Sequence, residues 1–153
     1  TFKISGVVER IGDYAKNIAK RVPIVTQTHR LTPISLLPSM SKIASELVRD
    51  ALDAFARRDA ELAIEVNRRD QIVDDFYNSI FRAVITHMVE NPKDIGEAAH
   101  LLFIAKNLER IGDHATNVAE MVYFAATGEP MPERTRGENP VTALDDALSD
   151  EAD

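Results

Sequence analysis

Two stretches of this chain carry the same acids at the same spacing. Residues 8–19 read VERIGDYAKNIA and residues 108–119 read LERIGDHATNVA, identical at eight of twelve positions and offset by 100 residues. Each holds three oxygen-bearing side chains four residues apart: Glu9, Asp13 and Asn17 in the first, Glu109, Asp113 and Asn117 in the second. A four-residue step turns about 40° around an α-helix. The three side chains therefore line one strip, one turn apart. Asp70 and Asp74 repeat the acid spacing between the two copies. Oxygen donors with no Cys in the chain suit hard cations: magnesium, manganese or ferric iron. Stacked like charges repel, and a cation between them would remove that repulsion. An acid pair at this spacing is also common on a solvated helix face. Glu46/Asp50 and Glu61/Glu65 have it without further claim. What lifts Glu109 and Asp113 above that background is their duplicate.

Gly12 and Gly112 are duplicated too, although glycine inside a helix is unfavourable by about 1 kcal/mol relative to alanine. Close helix approach explains them most simply; clearance for a ligand beside the acids is the sharper reading. Arg10 and Arg110 are read as neutralising the adjacent acid rather than binding an anion. His29, His87, His100 and His114 have no i,i+4 partner among themselves and are read as surface or packing residues.

The elements that must position these acids are helical. Apolar residues recur with a 3.6-residue period over 2–29, through Ile4, Val8, Ile11, Ala15, Ile18 and Val22. Pro23 should kink or end that helix. The span 31–38, with Pro33 and Pro38, reads as a linker. A second helix should run to about residue 57, capped by Ser39 or Ser41. A third spans 60–90, with Asp59 as cap and Asn91-Pro92 as stop. A fourth covers 94–126 and ends before Gly128. The expected fold class is all-α. An antiparallel three-helix bundle over 39–128 is preceded by one helix, 1–30, left over from a truncated first bundle, and followed by an acidic, disordered tail, 129–153. The 100-residue offset makes the first helix equivalent to the fourth, so the chain is read as a piece of a longer protein. The first helix should pack on the bundle or on another copy, since its apolar stripe would otherwise stay exposed.

Helix geometry adds a constraint. At 100° per residue, Glu109 and Asp113 fall roughly 140° to 180° from the centre of their helix's apolar stripe, and Asp70 and Asp74 roughly 60° to 100° from theirs. A metal site built from them is expected at the surface.

Composition bounds the remaining possibilities. The 153 residues carry a net charge of -7 and no Cys, which excludes a disulfide framework, a thiolate site and a thiol nucleophile. Residues 133–153 hold seven acids and two arginines, so about five of those charges belong to the tail, whereas residues 1–30 are net +4. The acidity argues against a nucleic-acid surface. No apolar run reaches the roughly 18–20 residues of a membrane span, and no phosphate loop, nucleophile elbow or HExxH stands out.

The duplicated ERIGD-xxx-N element, the Asp70/Asp74 helix and the phrase RDALDAF at 49–55 resemble the PhoU family over about residues 1–127. That resemblance implies tandem three-helix bundles whose acidic motifs hold metal clusters, iron or zinc in some members. Carried over, the ligands are Glu109 and Asp113 with Asp70 and Asp74. Asn117 is an adjunct, and Glu9 and Asp13 form an incomplete first site. It also implies a cytoplasmic, non-enzymatic negative regulator of phosphate uptake and phosphate-starvation signalling. Such a regulator forms homo-oligomers, expected as a homodimer. It links the phosphate transporter's ATPase subunit to a sensor histidine kinase, and reaches membrane complexes only through those partners. The alternative from the residues alone is a carboxylate-metal enzyme, a hydrolase or an oxidase.

Overall fold

The apolar periods become four α-helices in the computed structural model, which describes residues 2–26 and 31–133. They are α1 (Phe2–Thr26), α2 (Leu37–Arg57), α3 (Ala60–Glu90) and α4 (Ile95–Thr127), with 3-10 turns at Thr32–Leu36 and Pro92–Asp94. No strand occurs among the described residues. The expected end of the first helix, 27–29, and the acidic tail from 134 onward lie outside those residues.

Two short links fold α2, α3 and α4 into an antiparallel bundle. Arg58 adopts a left-handed φ of 53° and ends α2. Asp59 then caps α3, its Oδ1 accepting from the Leu62 N–H at 3.0 Å. A link this short leaves α3 no choice but to run back along α2. Arg69 of α3 ties the pair together, donating to Asp50 Oδ2 at 2.7 Å and Glu46 Oε2 at 2.8 Å. The Glu46/Asp50 pair is thus the socket of an arginine fork. At the other end α3 stops before Asn91-Pro92, where His87 Nε2 meets Asp94 Oδ2 at 2.9 Å. α4 returns and is ended by Gly128, φ 75°.

The core between the three helices holds Met40, Leu47, Val66, Val73, Ile80, Leu101 and Val118, all fully buried. Val25 of α1 and Leu31 extend it. α1 lies along α4. Tyr14 stacks on His114 with ring centroids 5.4 Å apart, and Arg21 sits 4.7 Å above Phe103. The second contact steps forward on α1 and backward on α4, so the two helices run antiparallel. Tyr14 and His114 occupy the same position in the duplicated element. Equivalent residues meeting at an antiparallel crossing define a local two-fold relation between the repeats. The expected partner for the first helix is therefore α4 itself.

Three local expectations need correction. α2 begins at Leu37, before Ser39 and Ser41, and no side chain caps it. Pro38 explains this, since a proline lacks only an N–H that the first turn leaves unbonded and its fixed φ suits that turn. The span 31–38, expected as a linker, forms a 3-10 turn and the start of α2. Of the two outcomes expected at Pro23, a kink or an end, it does not end α1, which continues to Thr26.

Candidate metal centre

The acids of interest meet on the seam between α3 and α4. The antiparallel pairing sets the register. Asp70 lies against Gly112, and two turns further along α3 Tyr77 lies under the Lys106 ammonium, 5.1 Å from its ring centroid. Between these rungs stand Asp74 on α3 and Glu109 on α4. One carboxylate oxygen from each of Asp70, Asp74 and Asp113 lies within 4.8 Å of the others. Asp70 has no exposed surface, and Asp74 and Asp113 are half-buried.

This overturns the expected surface placement for Asp70 and Glu109, while Asp74 and Asp113 keep partial exposure. Asp70 is 0 % exposed and Glu109 only 8 %. The angular argument assumed one buried face per helix. α4 has three covered faces, because it packs on α1, α2 and α3 together. Positions opposite its apolar stripe therefore meet a neighbouring helix instead of water.

Glu109 has its own partner. Lys106 Nζ donates to Glu109 Oε2 at 2.8 Å. Desolvation opposes the Lys106 charge, but the hydrogen bond and the attraction of Glu109 outweigh it and raise the lysine's pKa. Burial raises the pKa of the Tyr77 phenol beside it. Lys106 is a built-in counter-ion at the end of the acidic seam, and nothing in the acid spacing pointed to it. The other expected ligands stand apart. Asn117 is exposed one turn beyond Asp113 and lines a shallow groove with Glu120, Met121, Phe124, Pro130 and Met131. Glu9 and Asp13 are exposed on α1, and among the described residues no third acid joins them.

His114 flanks this seam as a packing residue. Its Nε2 lies 3.3 Å from the Tyr14 hydroxyl. Desolvation, with the nearby charges of Arg10 and Arg110, lowers its pKa.

The arrangement fits a hard cation on two grounds besides acid count. Its donors are all carboxylate oxygens, one of them completely buried, where an ionised group needs a compensating charge. It is also cradled: a Cβ at Gly112 would fall 2.6 Å from Asp70 Oδ1, so a side chain there would force that carboxylate to shift. Zinc accepts the same oxygens but has no His or Cys here to favour it.

A family model described as the PhoU domain matches residues 37–122. A curated relative from Zymomonas mobilis, named phosphate-specific transport system accessory protein PhoU homolog, is 58% identical over 137 residues, covering 90% of this chain and 58% of the relative. A Caulobacter vibrioides relative of the same name is 47% identical over 130 residues, covering 84% of this chain and 56% of the relative. The chain thus spans under two thirds of the curated relatives it matches. A solved structure titled "Crystal structure of PhoU from Pseudomonas aeruginosa" superimposes with a TM-score of 0.78 at 35% identity, covering 83% of this chain and 61% of that one.

Proposed function

The chain belongs to the PhoU family, and from that premise we propose that it is a non-enzymatic regulatory accessory of phosphate uptake whose α3–α4 seam binds a cation. The observation carrying the cation reading is the group Asp70, Asp74 and Asp113, with Asp70 fully buried. These three residues would hold the ion, and Glu109 stands next in register, tied to Lys106. A bound cation supplies positive charge that neutralises the cluster. The protein's part is to bring acids from two helices to one point and to exclude water from one of them. Since one ligand set spans α3 and α4, binding fixes how these helices face each other and any partner laid across them.

The partners we propose are the ATPase subunit of a phosphate transporter and the cytoplasmic region of a sensor histidine kinase, met in the cytoplasm by a homodimer. Among the described residues no helix is long and apolar enough to cross a membrane. Exposed apolar side chains on α1, Val8, Val22 and Ile24, give a second copy or further chain something to cover. The test is binding of the purified ATPase subunit and kinase region to the protein, once stripped with chelator and once loaded with manganese. Micromolar binding to either, stronger with metal and without turnover, supports the reading. Binding to neither partner in either state refutes the accessory role.

A further inference from the structure

Gly112 sits in the interior of α4 with ordinary helical geometry, so no turn or positive φ requires a glycine there. Glycine at such a site weakens the helix relative to alanine. The reason for it is spatial. An added Cβ would lie 2.6 Å from Asp70 Oδ1, 3.5 Å from Val73 Cγ1 and 3.8 Å from Asp70 Cγ. The first distance is shorter than side chains tolerate, and the Asp70 carboxylate is sealed with no exposed surface into which to swing. Val73, also fully buried, closes the neighbouring side. Gly112 is itself anchored, its carbonyl accepting from Thr116 Oγ1 at 3.0 Å.

The duplicated copy supplies the contrast. Gly12 occupies the same place in the same ERIGD phrase, and a Cβ there would meet nothing within 4 Å. The glycine at 112 is therefore used where an acid-bearing helix lies across it; at Gly12 no described residue does so.

We propose that Gly112 is the positioning residue of the cation site: its missing side chain is the space that lets the Asp70 carboxylate turn toward Asp74 and Asp113. This rests on the cation reading of that cluster. An alanine at 112 would displace Asp70, the fully buried one of the two ligands on α3, leaving Asp74 and Asp113 to bind alone. Disturbing a group that orients a ligand weakens metal binding about 10-fold or more.

The experiment compares wild type with Gly112→Ala, Gly12→Ala, Asp70→Ala and the double variant Asp70→Ala/Gly112→Ala. Each protein is stripped, titrated with manganese by calorimetry, and melted in chelator. The expected result is manganese affinity about 10-fold or more weaker in Gly112→Ala and within about 2-fold of wild type in Gly12→Ala. In chelator, Gly112→Ala should melt below wild type, whereas the double variant should melt no lower than Asp70→Ala, because the oxygen the methyl meets is gone. Unchanged manganese affinity in Gly112→Ala overturns the proposal, as does an equal melting penalty in both backgrounds. If Gly112→Ala does not fold, a folded double variant supports the clearance and an unfolded one refutes it. If wild type takes up no manganese, ferrous iron or zinc, the cation reading fails and the positioning role falls with it. The melting comparison would still report whether Gly112 makes room for Asp70.

Discussion

Replacing Asp70 by Asn keeps the shape of a fully buried side chain and removes one negative charge from a group whose carboxylate oxygens lie within 4.8 Å of one another. At an effective dielectric of about 20, two unit charges at that distance repel by about 3.5 kcal/mol. Asp70 takes part in two of the three pairs. In the fully ionised limit its charge therefore contributes about 7 kcal/mol of repulsion. Salt, the partial exposure of Asp74 and Asp113, and the other interactions these side chains make reduce this. An observable relief of about 2 kcal/mol is a conservative figure. At about 4 °C per kcal/mol for a chain of this size, Asp70→Asn should melt about 8 °C above wild type in chelator. With manganese the order should reverse. Wild type gains stability from a ligand that binds only the folded state, and the variant has lost a charged donor. Differential scanning calorimetry in chelator and in excess manganese reads both. A variant that melts below wild type in chelator refutes the argument, because the buried carboxylate would then be stabilising without any cation.

Other consequences are smaller. Lys106→Met strands the nearly buried Glu109 and should lower stability in chelator by about 1 kcal/mol, while tightening manganese binding by removing a competing charge; urea unfolding and calorimetry read the two effects. Because Glu109 holds the Lys106 ammonium above its ordinary 10.5, the stability from this pair is complete below that pH and is lost as the pH climbs through the raised value. Arg58→Gly relieves a left-handed residue on an exposed turn and should raise stability by about 0.5–1 kcal/mol in urea unfolding. Arg69→Ala leaves the half-buried Glu46 and Asp50 facing each other and should cost about 2 kcal/mol in the same assay.

Much of this architecture is legible in residue order because its signals are local. Asp59, Asn91-Pro92 and Gly128 mark helix ends by side-chain chemistry that acts within a turn, and each acts where expected. Ser39 and Ser41 misled because capping residues compete with Pro38, which starts a helix as readily. The four-residue acid spacing identified Asp70, Asp74 and Asp113, but it could not say that Glu109 spends its charge on Lys106. That pairing depends on the rotamer of a long, flexible side chain, and the spacing of acids carries no record of it.

The misjudged burial of the acids has a different origin, and a cue to it was present in the sequence. Between residues 98 and 119, α4 carries only four charged side chains, Lys106, Glu109, Arg110 and Asp113, with His100, Asn107, His114, Thr116 and Asn117 the other polar residues among alanines, a glycine and larger apolar side chains. A helix with so few charges is enclosed on most sides, and an acid on it is more often facing a neighbour than facing water. The duplication points the same way. α1 keeps the acids and the glycine of α4, yet Glu9, Gly12 and Asp13 are exposed while Glu109 and Gly112 are buried. The same motif therefore has two environments in one chain, and what separates them is whether a second acid-bearing helix lies across it. The motif is half of a site, and α3, through Asp70 and Asp74, is the half that turns it into a cluster able to hold an ion.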